Sequence, residues 1–268
     1  MTMYSESRMW GDAALLVCAL LCASFSAFGE KVLIVADEWP QMEVLASFLE
    51  EKGSYEVAKA EQNKLPDDLS GFHAVFQFVH GKLDDESAGS LIEYAQHGGR
   101  LVVMHHGISS GKAKTKGWLP FLAMQLDRDR DAANRYEWTH GVTLTLVNLN
   151  PKHYITSHDV NYEAEVEYRS SDQPSPPATM QAILFEGSEV FLNHQFSDGR
   201  EKTVLFGFTY TNAKTGKTYM QDRSGWLKPA GDGYVFYFQP GHVTSDFENP
   251  NYCQILMNCL TWSPCGNP

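Results

Sequence analysis

The chain reads as an α/β protein, an open parallel sheet with helices on both faces and a β-rich insertion. Three observations carry that reading. Short apolar runs without polar alternation recur at residues 31–37, 73–80 and 100–106, as buried parallel strands require. Segments of helical periodicity separate them at residues 43–52 and 84–97, and glycines follow at Gly53 and at Gly98-Gly99. Beyond residue 127 the helical signal fades into β-rich stretches.

The first run, KVLIVAD, is followed by a helix with Val44, Leu45, Phe48 and Leu49 on one face. Residues 55–58 form a second strand and HAVFQFVH a third. Leu91, Ile92 and Tyr94 mark the buried side of the next helix, and RLVVMHH is the fourth strand. Strand, helix, strand, strand, helix, strand at these lengths builds a parallel sheet. Further strands are expected at 143–147, 163–168, 182–185, 190–195, 203–211 and 234–238, with a surface loop at 171–177 and a closing helix at 252–262.

The 268 residues are 43% hydrophobic and 12% aromatic, which excludes a disordered chain. A net charge of −12, with no Lys/Arg run longer than two, argues against a nucleic-acid partner. Residues 13–28 are apolar and uncharged but about half the length of a membrane span once their small polar end is discounted. Small residues at Ala27 and Gly29 fit cleavage before Glu30, so residues 1–29 read as a secretory signal, an uncleaved anchor being the alternative. The protein is then exported, periplasmic or extracellular, with no membrane span after cleavage. Past residue 29 only Cys253, Cys259 and Cys265 remain; their spacing matches no zinc signature, and a disulfide or buried thiols are both open.

In an open parallel sheet, ligands bind beyond the carboxyl ends of the strands. Three such ends are marked here: Asp37-Glu38-Trp39, His105-His106-Gly107 through Ser109-Ser110, and Gln239-Pro240-Gly241-His242. Each has a plainer reading. Asp37 can cap the following helix, Gly241-His242 can be a turn, and His194 can be buried and neutral. Adjacent histidines on a strand point to opposite faces, so His105 and His106 share a ligand only if the strand has already ended. Glu163, Glu165 and Glu167 alternate on one strand face, either as paired carboxylates or as an exposed acidic edge. No nucleophile elbow, dinucleotide fingerprint or phosphate loop is present.

Four stretches in order resemble the ThuA-like (trehalose-utilisation) family. Gly99 through His106 is followed by Ser110, Trp118 and Leu119; Asn150-Pro151-Lys152-His153-Tyr154-Ile155-Thr156 has Tyr154 where proline is usual. Gly231-Asp232-Gly233-Tyr234-Val235-Phe236-Tyr237 precedes Gly241-His242, with Tyr234 replacing a basic residue. An acidic motif before a tyrosine falls on Glu165-Val166-Glu167-Tyr168, where Glu165 aligns without a gap. The resemblance spans nearly the whole chain after the signal and gives a domain of residues 30–265. It implies a flavodoxin-like three-layer sandwich, similar to class I glutamine amidotransferases, without their cysteine, because His105-His106-Gly107 stands at that turn. It also implies disaccharide or keto-sugar metabolism.

The expected function is an isomerase- or hydrolase-type step on a small-molecule carbohydrate; the alternative is a non-catalytic sugar-binding protein. The candidate catalytic residues are His105, His106, His242 and Glu165, since histidine suits proton transfer near neutrality. Trp39, Ser110, Trp118 and Trp226 are the candidate substrate contacts. A divalent zinc or manganese ion would be held by His106, His194 and His242.

Overall fold

The computed structural model describes residues 29–132 and 134–266. The expected secretory signal therefore lies almost wholly outside the described residues. From the N-terminus, β1 (Lys31–Ala36), α1 (Pro40–Gly53), β2 (Glu56–Ala60), β3 (Ala74–Phe78), α2 (Asp85–Gln96) and β4 (Arg100–Met104) follow one another. Short 3-10 turns lead to α3 (Trp118–Phe121) and β5 (Met124–Leu126). Then come β6 (Glu137–Asn148), α4 (Tyr154–Ser157), β7 (Ala164–Tyr168), β8 (Ala178–Leu192) and β9 (His194–Phe196). The chain closes with β10 (Thr203–Thr211), β11 (Thr218–Ala230), β12 (Gly233–Phe238), α5 (Thr244–Glu248) and α6 (Pro250–Thr261). Among the described residues no helix is long and apolar enough to cross a membrane.

Ten strands form one sheet in the order β2-β1-β3-β4-β12-β11-β10-β6-β8-β7. The first five are mutually parallel. From β12 outward every pairing is antiparallel. The β-rich part is thus an extension of the same sheet. β5 and β9 form a separate two-stranded ribbon.

Residues facing opposite ways from the central strands explain the layers. Val32, Ile34, Phe76 and Val102 pack with Leu45 and Leu49 of α1 and Leu256 of α6. Leu33, Val35, Val75 and Val103 pack with Leu91 of α2 and Trp118 of α3. Because β1, β3 and β4 are covered on both sides, they carry continuous apolar runs.

Several local expectations are corrected. α1 ends at Gly53, but the left-handed cap is Ser54 (φ 57°), which returns its N–H to the Leu49 carbonyl. Asp37 does not cap α1, because its carboxylate accepts the N–H groups of His80 and Gly81 instead. Segments 182–185 and 190–195 join as β8 and β9, with Gly187 (φ 70°) inside β8. β11 was not expected at all. Cys253 and Cys259 are buried thiols of α6 and Cys265 is exposed, and no disulfide joins them among the described residues.

Candidate metal centre

β4 ends at Met104, and His105 adopts a left-handed conformation (φ 48°) at the start of a 3-10 turn. That turn removes the obstacle of opposite strand faces. The Nε2 atoms of His105 and His106 both lie 3.1 Å from Oε2 of Glu189. His242 arrives from the loop after β12, its Nδ1 3.2 Å from the same oxygen. One ligand atom from each of these four residues lies within 4.8 Å of all the others.

Each member is held by a specific partner. The Nδ1–H of His105 is set to donate to the Gln239 carbonyl at 2.8 Å, which leaves the Nε2 lone pair facing the cluster. The Tyr237 hydroxyl donates to the His105 carbonyl, and the Trp118 indole to the Gly107 carbonyl. The loop after β12 is fixed by Asp246, 1% exposed, whose Oδ2 accepts the N–H groups of Gly241 and His242 and the Ser188 hydroxyl. Gly241 (φ 142°) is required, since a Cβ there would stand 3.1 Å from His105 Cβ.

Glu189 owes its direction to irregular pairing. β6 and β8 shift register between His140 and Val142 and again between Val142 and Leu144, beside Gly141 and Gly187. Such bulges re-aim side chains. Glu189, opposite His140, is thereby turned inward and left only 3% exposed.

The set suits a metal ion. Nε2 of His105, Oε2 of Glu189 and Nδ1 of His242 are buried and make no hydrogen bond despite their proximity. Uncompensated burial of such atoms is costly, and a cation would satisfy all of them together. The three imidazole nitrogens stand 3.1, 3.1 and 3.2 Å from Oε2 of Glu189, near the roughly 3.4 Å that separates neighbouring ligand atoms on one zinc-sized ion. Protonation agrees. Burial pushes His106 down to about 3 against the opposing pull of the adjacent Glu189 carboxylate, and burial also lowers His242. Burial would raise Glu189, yet His105 and His106 outweigh it and hold the carboxyl well below its ordinary range. Neutral imidazoles and an ionised carboxylate are the ligand forms a metal needs.

His106, Glu189 and His242 line a cavity of about 440 Å³, with His105 buried behind them, and His80, Ser110, Tyr136, Trp138, His140 and Phe191 complete its wall. The His80 ring packs 3.9 Å from that of His106, and its Nδ1 meets Oε1 of Glu38 at 3.0 Å. Trp138, 55% exposed, presents an aromatic face.

Of the expected site residues, His105, His106, His242 and Ser110 meet here. Glu165 does not: it is exposed on β7, the outermost strand, opposite Gln181. His194 is outside the cluster and fully buried, with its Nε2 3.1 Å from the Arg223 carbonyl. Trp118 and Trp226 are fully buried, so neither presents a face to a sugar; Trp118 holds the histidine loop and Trp226 packs on Tyr237. Trp39 borders a different cavity with Asp37 and Asp84. Sequence reasoning missed Glu189, His80, His140, Tyr136 and Trp138. His80 alone carried a usable signal, a histidine just past the end of an apolar strand.

The ThuA profile, described as trehalose utilisation, matches residues 28–263. This chain belongs to the ThuA family. No curated protein matches it. Among solved structures, a ThuA-like protein from Bacteroides uniformis is similar with a TM-score of 0.57 and 14% identity, over 92% of this ThuA chain and 98% of that one. β-Galactosidases from Bacillus circulans (TM-score 0.52, 11% identity) and Rahnella sp. R3 (0.51, 11%) share the fold over 87% and 85% of this chain. The ThuA chain corresponds to only 30% and 31% of those two enzymes. At these identities the likeness is one of fold. The parallel part of the sheet, ordered β2-β1-β3-β4-β12 with helices on both faces, has the flavodoxin-like order, and this ThuA protein carries a His/Glu cluster able to coordinate a metal ion.

Proposed function

We propose that this ThuA-family protein is an exported enzyme that uses a divalent ion, zinc or manganese, in an isomerase- or hydrolase-type step on a disaccharide or keto-sugar. The observation that carries the reading is the convergence of His105, His106, Glu189 and His242, with three unpartnered buried ligand atoms, at the floor of a cavity walled by Trp138. Bound there, the ion would polarise a sugar oxygen or lower the pKa of a water.

The chain's own groups supply the rest. Trp138 offers an apolar face for the C–H side of a sugar ring. His80, oriented by Glu38 and half exposed, is placed to take or return a proton at the cavity wall. His140, across from Glu189 on the paired strand, is the second free imidazole. Burial and the Glu189 charge raise Tyr136, which keeps its phenol protonated as a hydrogen-bond donor.

The test is metal analysis by mass spectrometry on protein purified without chelator or affinity histidines, followed by disaccharide and keto-sugar turnover. About one ion per chain, absent from Glu189→Ala, with turnover lost in His80→Ala at full metal content, is the expected result. A metal-free wild type sinks the metal reading. Sugar binding without turnover moves the protein to the sugar-binding alternative.

A further inference from the structure

The cavity does not end at Trp138. A second groove of about 660 Å³ adjoins it, sharing Ser110, Tyr136 and Trp138 as the common wall, and its remaining lining is Arg128, Arg130, Arg135 and Glu137. Three guanidinium groups beside one carboxylate are unusual on a chain of net charge −12. The alternating sequence Asp127-Arg128-Asp129-Arg130-Asp131 explains how the charges are sorted. Asp127 and Asp129 turn back to accept the backbone N–H groups of Asp129 and Asp131, and none of the three aspartates lines the groove. Arg135 is paired with Glu137 at 2.8 Å. Arg128 and Arg130 have no carboxylate partner among the described residues.

We infer that this groove is an anion-binding subsite, and that the sugar taken by the adjoining cavity carries a negatively charged group. The inference rests on the carbohydrate reading above and narrows its substrate class to acidic sugars, uronates or sugar esters of phosphate or sulfate. Guanidinium is the side chain whose planar fork matches carboxylate and phosphate oxygens in pairs. Two free forks next to an exposed tryptophan present adjacent surfaces for the two parts of such a ligand, ring on Trp138 and anion on Arg128 and Arg130. A cationic groove on an acidic surface also favours approach of an anionic ligand at this mouth over the rest of the molecule. A neutral disaccharide would leave both arginines without a charge partner.

Calorimetric titration of the full-length, metal-loaded protein distinguishes the alternatives. Three probes are compared: a glucuronic-acid-containing disaccharide, its neutral glucose analogue, and a phosphate ester of that analogue. At least one anionic probe is expected to bind about ten-fold or more tightly than the neutral one, with the advantage shrinking as salt rises. Which anionic probe wins assigns carboxylate or phosphate. Arg128→Ala/Arg130→Ala, in exposed positions where folding is unaffected, is expected to bring the anionic probes to the neutral affinity while leaving the neutral probe unchanged. Lysine at both positions should restore part of the advantage, since charge survives without the fork. Equal affinity for all three probes, or an advantage that survives the double alanine variant, overturns the anionic subsite and leaves the carbohydrate reading standing. Absence of binding by every probe overturns both, while the metal content of the same sample reports separately on the metal centre.

Discussion

In the parallel half of the sheet, His80, His105 and His242 reach the site from loops that follow β3, β4 and β12. In the antiparallel half, Glu189 and His140 reach it from inside β8 and β6, where paired bulges turn Glu189 into the cluster and leave His140 exposed at the cavity wall. The first half delivers side chains by ending its strands, and the second by interrupting the pairing of strands that continue. Loop-borne groups depend on what holds the loop. Bulge-borne groups depend on register, which glycines at 141 and 187, both at positive φ, keep displaced.

The comparison breaks most sharply at Asp246, because this buried carboxylate touches both halves, through the loop of His242 and through Ser188 beside Glu189. Asp246→Ala leaves two N–H groups and a hydroxyl without an acceptor, an expected loss of about 3 kcal/mol in denaturant unfolding. Asp246→Asn, which preserves volume, should fold and still bind metal about 10–100-fold more weakly in a competition titration. Unchanged affinity would mean that each half positions its ligands alone.

A smaller effect is expected from acid in metal-stripped protein. Unfolded, His106 takes a proton near 6.5, whereas folded it does so only near 3, so between those values the unfolded chain binds more protons and stability falls as pH falls. Glu189, depressed below its usual 4.5, adds a loss of the same sign below that value. Urea midpoints measured between pH 7.5 and 4 should therefore decline with acid, and His106→Gln should flatten the upper part of the curve. A flat wild-type profile would show that the parallel half carries no buried neutral histidine.

Smallest of all is Glu165→Gln. On its exposed outer strand the change should stay within about 0.5 kcal/mol and leave metal content unaltered. A measurable loss of turnover would return this carboxylate to the site and extend the antiparallel contribution to the sheet's far edge.

The same contrast explains what was readable in the sequence. Strands buried on both faces announce themselves as apolar runs, so β1, β3 and β4 and the histidines at the end of β4 could be placed by pattern alone. β11 could not, because its interior holds Asp222, paired to Tyr168, Ser170 and Arg200 inside the fold, and this polar network erases the alternation. Glu189 was hidden for a related reason. Residues 188–192 are buried in succession, but the run opens with the polar Ser188 and Glu189, so no apolar strand pattern marks it. The tryptophans misled because size and type say nothing about depth: Trp118 and Trp226 serve the core, while Trp138, in a segment without apolar periodicity, is the exposed one.

A ten-stranded sheet has two open borders, and β7 forms one of them. Glu165 and Glu167 stand out from that border into water, opposite Gln181 and Thr179 of the neighbouring strand. An unpaired strand invites a second chain to continue the ladder, and like charges meeting across such a joint repel. The carboxylates that looked like catalysts in the sequence are in the right place to keep a broad, flat-edged sheet from recruiting its neighbours into aggregates.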